Sequence, residues 1–146
     1  MQVEVKIDRS ADEPRVIIVT KNVDEEISQL VRMISSSGSP VLTGFDEGNA
    51  VILQESDIYS FYSADKKVFA VLENEELTMR LRLYELEDKL DGRSFARISN
   101  SEIINLKKVE RFDLSMTGTI CVKMTNGRVT YVSRRYVSKI KQILGV

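Results

Sequence analysis

The side chains best suited to chemistry in this sequence are cations and amides in its C-terminal third. From Arg93 onwards there are 11 Lys or Arg residues against three acids, a balance of +8, and no acid follows Asp113. Residues 1–60 carry the opposite bias, with 11 acids and 5 bases. Since a dense field of one sign attracts the other, the basic end is suited to binding a polyanion.

Two blocks hold most of these side chains: RSFARISNSEIINLKKVE (93–110) and VSRRYVSKIKQIL (132–144). An asparagine can form two hydrogen bonds with adenine, and an arginine can do the same with guanine. Lysines more often contact phosphates. A structural interpretation stays open beside this one: Asn100 can satisfy a turn, and Arg97 can bond a neighbouring backbone group.

Catalytic and metal-dependent functions find little support. Histidine is absent, which removes the commonest general base and zinc ligand, and Cys121 is the only cysteine. Gly44 and Gly48 lack the lysine and the following helix of a phosphate-binding loop. We therefore predict no enzyme activity, no metal and no nucleotide cofactor. With neither a secretory signal nor an apolar run of membrane length, a cytoplasmic location is expected.

The N-terminal part has patterns typical of two strands, a helix and a hairpin. Residues 2–7 alternate between apolar and polar, and residues 15–20 are rich in β-branched side chains. A helix is predicted from about 23 to 36, with Asn22 and Glu25 as its capping box. Residues 41–53 predict a hairpin, and we expect residues 1–53 to form a regulatory or dimerisation unit.

The rest of the chain predicts further hairpins. Residues 57–72 form one, a short helix begins near Arg82, and the strand pattern then returns, with Asn126–Gly127 as a strong turn signal. Ser133 can cap a final helix. The predicted class is mostly β (α+β), with three short helices and with Phe95 and Ile98 in the core.

From about Glu55 onwards the chain resembles the LytTR family of bacterial DNA-binding domains. The resemblance rests on the order and spacing of DIYSFYSADKKVFAVL, LRLYELEDKL, FARISNSEIINLKKVERF, the Asn-Gly hairpin and VSRRYVSKIKQIL. The central block is the most specific. Its matching positions are Phe95, Arg97, Ile98, Ser101, Ile104 and Asn105.

This resemblance implies an elongated arrangement of small antiparallel sheets over residues 55–146, whose loops enter successive major grooves of DNA. Contacts are implied in the first hairpin loop at Lys66, in the central block at Asn100, and at Arg135 where the last helix begins. Further cations would attract phosphates; these are Arg97, Lys107, Lys108, Arg134 and Lys139.

Two positions depart from the family pattern: Ser99 stands where histidine is common, and Glu102 where many members have an aromatic residue. The sequence thus predicts a sequence-specific regulator of transcription that binds double-stranded DNA, with homodimerisation expected. Short members are frequently restrained by a small membrane protein, which makes such a protein a second expected partner. The alternative is a protein-binding adaptor that keeps the fold without specific DNA recognition.

Overall fold

The computed structural model describes residues 1–36 and 41–146, and the chain divides into two units, Met1–Gly38 and Ser39–Val146. The first unit has one helix, and the second unit contains all ten strands of the described residues. No helix in the described ranges is long and apolar enough to cross a membrane.

The first unit contains helix α1 (Glu25–Ser36). Its start is capped by Asp24, whose Oδ1 accepts a hydrogen bond from the backbone N of Ile27 at 2.9 Å. The helix was correctly predicted, but its cap lies two residues after the predicted Asn22. Asp24 serves because its side-chain oxygen reaches an N–H group that the first turn leaves without a partner.

The two strands predicted in this unit are absent. Residues 1–24 contain no strand, and a turn closed by the hydrogen bond from Ala11 N to Asp8 O separates the two segments. Alternation shows that a segment fits a sheet, but a strand also needs a neighbouring strand to accept its hydrogen bonds. Neither segment has such a neighbour among the described residues.

The second unit is built from antiparallel strands, which confirms the predicted class. One sheet has seven strands in the order β2-β1-β5-β4-β3-β7-β6, and the other has three in the order β10-β9-β8. The strands are β1 (Leu42–Asp46), β2 (Asn49–Leu53), β3 (Ser60–Ala64), β4 (Lys67–Val71), β5 (Glu76–Met79), β6 (Phe95–Ser99), β7 (Glu102–Asn105), β8 (Val109–Asp113), β9 (Ile120–Met124) and β10 (Val129–Val132). The helices of this unit are α2 (Leu83–Lys89) and α3 (Arg134–Leu144).

The predicted hairpins formed, and their turns have the expected chemistry. Asp65 and Lys66 join β3 to β4 with φ of 51° and 64°, the conformation of a two-residue hairpin turn of type I′. Gly127 has φ of 87° between β9 and β10. Strands β5 and β7 were not predicted. β5 alternates over only four residues, and β7 has two adjacent isoleucines and little alternation.

The boundary between the units differs from the expected one near residue 53. Strand β1 joins the large sheet, since Phe45 pairs with Thr78 and accepts a hydrogen bond from its hydroxyl at 2.9 Å. Gly44 permits the close approach: a Cβ there would lie 2.9 Å from the Cβ of Leu77. The hairpin of residues 42–53 therefore belongs to the second unit, and the division falls at residue 38.

The large sheet has a hydrophobic core on each face. Helix α2 covers one face through Leu83 and Leu86, while the small sheet and α3 cover the other, where Ile140 of α3 is fully buried. Phe95 belongs to the first core and Ile98 to the second, which confirms their predicted burial. This packing fixes the ends of β3, β6 and α3 relative to one another.

Candidate nucleic-acid interface

Two loops of the large sheet lie together at one end of the second unit. Strands β3 and β7 are antiparallel, with Tyr62 opposite Glu102, so the turn after β3 and the turn before β7 meet. The backbone N of Ser63 donates a hydrogen bond to the backbone O of Ser101 at 2.9 Å. Packing therefore brings the predicted loops of Lys66 and Asn100 to the same edge.

The start of α3 is tied to this same edge. The backbone N of Ser133 donates to the backbone O of Ile98 at 2.9 Å, and the hydroxyl of Tyr136 lies 3.5 Å from Oδ1 of Asn100. We call the resulting surface the loop end: residues 65–66, 99–101 and 133–136. It unites the three places that the sequence resemblance implied.

Lys66 stands at the outermost position of the β3–β4 hairpin. Its side chain is exposed, and no carboxylate of the described residues lies within 4 Å of its ammonium group. The neighbouring Asp65 is exposed as well. A lysine of this kind can reach a phosphate because its flexible stem carries a compact charge with three donors.

Arg97 is bound within the protein. Its Nε donates to the backbone O of Ser99 at 2.7 Å, and its NH2 group donates to the backbone O of Asn100 at 2.7 Å. Its NH1 group forms a salt bridge with Glu87 at 2.9 Å, and only 12% of the side chain is exposed. The geometry thus agrees with the backbone-bonding alternative: Arg97 supports the turn from which Asn100 projects.

The turn around Asn100 is organised by short polar side chains. The backbone N of Ser101 donates to Oγ of Ser99 at 3.1 Å, and the two serine hydroxyls lie 3.3 Å apart. The strand register shifts between Arg97 and Ser99, as in a β-bulge, which redirects the chain just before the turn. Asn100 itself is exposed.

Helix α3 contributes a short basic surface. Arg134, Arg135 and Lys139 are all exposed, and no carboxylate of the described residues pairs with them. The guanidinium of Arg135 lies 5.9 Å from the ring centre of Tyr136, and that of Arg134 lies against Gly118 in the β8–β9 loop. Since a helix start already carries partial positive charge, these arginines favour an external anion there.

Lys107 and Lys108 lie at the other end of β7 and do not join the loop end. They occupy a single 3₁₀ turn, residues 106–108, whose start is capped by the buried Asn105. Oδ1 of Asn105 accepts from the backbone N of Lys107 at 3.0 Å, while the ammonium of Lys108 lies 5.0 Å from the ring centre of Tyr59. The length of β7 separates both lysines from Asn100.

Glu102, one of the two departures from the family pattern, turns toward the small sheet. The hydroxyl of Thr130 donates a hydrogen bond to its carboxylate, and both residues line a groove of about 430 Å³ between the sheets. Burial raises the pKa of Glu102, an effect that the Thr130 hydrogen bond and the charge of Arg128 partly offset. The carboxylate is thus engaged inside the groove.

Two residues that help to form the loop end were not predicted from the sequence as part of a site. Tyr136 links α3 to the Asn100 turn, and Ser101 joins that turn to β3. An aromatic residue directly after two arginines at a helix start was the available signal for Tyr136. The family motif includes Ser101, but it does not predict the backbone hydrogen bond between Ser63 and Ser101.

A family profile described as the LytTr DNA-binding domain matches residues 48–145. A LytTr DNA-binding domain from Bacillus cereus has a similar structure, with a TM-score of 0.70, 27% identity, and coverage of 75% of this chain and 100% of that one.

Similar full-length sequences are described as uncharacterized HTH-type transcriptional regulators of Staphylococcus aureus. Those of strains NCTC 8325 and MRSA252 are 30% and 29% identical over 147 residues, covering 100% of this chain and 99% of each relative. The described residues of this chain contain no helix-turn-helix arrangement, because strands β6–β10 separate α2 from α3. By the match to residues 48–145 and the shared fold, the chain belongs to the family of LytTr DNA-binding domains.

Proposed function

We propose that this chain is a sequence-specific transcriptional regulator that reads double-stranded DNA with its loop end. The observation that carries the proposal is that the three segments bearing Lys66, Asn100 and Arg135 are joined at one edge of the second unit. Their chemistry is complementary: lysine suits a phosphate, while an amide and a guanidinium suit base edges.

In this proposal the protein reads DNA with loops supported by sheets. Arg97 and the serines around Asn100 hold the central turn, so that a base-contacting amide needs little ordering on binding. Arg135 reads a base at the start of α3, and Arg134 and Lys139 attract the adjoining phosphates. Lys107 and Lys108, on the far side of β7, stay predictions as accessory phosphate contacts.

One argument for the adaptor alternative, the acidic residue Glu102, does not hold. It drew on Glu102 as an acid beside the binding surface, whereas the carboxylate is engaged by Thr130 in the groove between the sheets. Family membership and the names of the relatives also favour the regulator.

The decisive experiment is selection from a pool of random duplex DNA, followed by binding of the enriched sequence and of a scrambled duplex over a range of salt concentrations. We expect enrichment of one motif and a slope of log K against log salt of about −0.9 for each phosphate contacted. A chain that enriches no motif and binds both duplexes equally weakly is not a sequence-specific regulator.

Two further expectations concern partners and place. A single module of this size buries limited surface on DNA, so we propose that the chain acts as a homodimer. A small membrane protein as its regulator, and a cytoplasmic location, stay predictions that co-purification from membranes and fractionation would test.

A further inference from the structure

The first unit leaves most of its apolar side chains exposed to water. None of residues 1–34 is buried, whereas the second unit has two well-packed cores. Exposure reaches 86% at Val3, 84% at Val5 and 86% at Ile7. The exposed large apolar residues of the first unit are Met1, Val3, Val5, Ile7, Val16, Ile17, Val19, Val23, Val31 and Met33.

A unit of this size cannot stabilise itself in the ways open to small domains. Below about 40 residues, chains usually need disulfides, metal sites or oligomerisation to hold a fold. Residues 1–38 contain neither cysteine nor histidine. Of these three, oligomerisation is the one that does not need a cysteine or a histidine, and the exposed apolar side chains supply its driving force.

The exposed area fits a dimer interface. Burying one Val or Ile side chain is worth about 1.5–3 kcal/mol at about 25 cal/mol per Å², which corresponds to roughly 60–120 Å² for each side chain. Eight such residues give on the order of 500–950 Å². A stable interface of standard size needs about 800 Å² from each partner.

Residues 2–7 are complementary to a second copy of themselves in one antiparallel register. With Val5 opposite Val5, the Glu4 of each copy faces the Lys6 of the other, and Val3 faces Ile7. Opposite charges across strands stabilise the pairing, and like charges destabilise it. Centring on Glu4 or on Lys6 instead places two like charges opposite each other.

The second segment suits a covered position beside this pair. In residues 15–20 the apolar side chains Val16 and Ile18 alternate with Ile17 and Val19, so a strand formed there is apolar on both faces. Strands of that kind lie inside a sheet with both faces covered. Helix α1, with Ile27 and Leu30 half-buried and Val31 exposed, offers an apolar surface to cover one face.

We infer that residues 1–36 form a dimerisation unit in which residues 2–7 of two copies pair as antiparallel strands centred on Val5. The inference deepens the proposed function, because it names the surface that makes the DNA-binding chain a dimer. It also explains why segments with a strong strand pattern have no strand partner among the residues that the structure describes. The occupant of the open face is a second copy.

The test is a charge swap in the full-length chain, measured by sedimentation equilibrium without DNA. Glu4→Lys places Lys opposite Lys6, and Lys6→Glu places Glu opposite Glu4, so each single variant puts two repulsive pairs into the dimer. We expect dimer dissociation constants at least about tenfold larger than that of the unmodified chain. The double variant Glu4→Lys/Lys6→Glu restores opposite charges and should dimerise within about threefold of the unmodified chain.

Matched controls carry the same charge changes outside the segment. Asp12→Lys and Arg9→Glu should leave the dimer constant unchanged. A monomeric unmodified chain, single swaps without effect, or a double variant that fails to recover would each overturn the inference. Binding of a single-site duplex, measured in parallel, tests the DNA-binding function separately. A dimer without DNA binding refutes only that function. DNA binding by a monomer refutes this inference and the proposed homodimer, and leaves the DNA-binding function standing.

Discussion

The guanidinium of Arg97 lies 2.7 Å from the backbone oxygen of Asn100, three residues ahead in the chain. The same group holds the backbone oxygen of Ser99 at 2.7 Å and Glu87 at 2.9 Å. One planar cation thus holds two successive carbonyl groups of the turn and anchors it to α2. The side chain that we propose for base contact, Asn100, is carried on a turn whose backbone is held by the protein itself.

We predict that Arg97→Lys weakens DNA binding without removing a DNA contact. Lysine keeps the charge but cannot bond Ser99, Asn100 and Glu87 together as the planar fork does. We expect an affinity for the selected duplex about tenfold lower, equivalent to about 1.4 kcal/mol. The salt slope should stay unchanged, because no phosphate contact is lost. A slope reduced by about one would instead identify Arg97 as a phosphate contact.

Arg135→Ala should reduce affinity and relax the preference at one base position. A guanidinium that forms two hydrogen bonds with guanine contributes about 1–3 kcal/mol of discrimination. The measurement is binding to the selected duplex and to single-base variants of it. Arg93→Ala is the matched control, since Arg93 is an exposed arginine that precedes β6, at the opposite end of that strand from the loop end. Equal effects of the two substitutions would contradict a base contact at Arg135.

Asn105→Ala should destabilise the second unit by about 2–3 kcal/mol. Asn105 is 2% exposed, its Nδ2 donates to the backbone O of Ile58 at 2.8 Å, and its Oδ1 accepts from Lys107 N at 3.0 Å. Removing the amide leaves buried backbone groups without partners, each at a cost of about 1–3 kcal/mol. Urea unfolding of the variant, with Asn100→Ala as the exposed control, measures the difference. An unchanged midpoint would show that water replaces both bonds.

Glu102→Gln should increase stability above the ordinary titration range of glutamate. Burial raises the pKa of Glu102 above 4.5, so the folded chain holds this proton more tightly than the unfolded chain does. Ionisation therefore destabilises the fold as the pH rises from below 4.5 through the raised value. Glutamine keeps an acceptor for Thr130 without the charge.

Urea unfolding of both proteins at several pH values tests this prediction. The stability of the Gln variant relative to the unmodified chain should rise across that window and then level off at higher pH. A difference that does not vary with pH would show that Glu102 ionises as readily in the fold as in the unfolded chain.

Local sequence patterns predicted most of the fold of the second unit. Turn residues such as Asp65–Lys66 and Asn126–Gly127, and the buried Phe95 and Ile98, depend on neighbours close in sequence or on simple alternation. The candidate DNA-binding loops were identified through the family resemblance, because the order and spacing of motifs can be read along the sequence. Their contact through Ser63 and Ser101 could not be predicted, since it depends on which strands become neighbours in the sheet.

The sequence by itself determined the antiparallel class, the turns, the basic end and the residue types available for binding DNA. Only the tertiary structure decided which of those residues act together. Arg97 and Arg135 are the same amino acid in the same basic region, yet one is held by three internal partners and the other is exposed. The physical reason is that a charge pattern fixes what a side chain can bind, whereas packing fixes what lies within its reach.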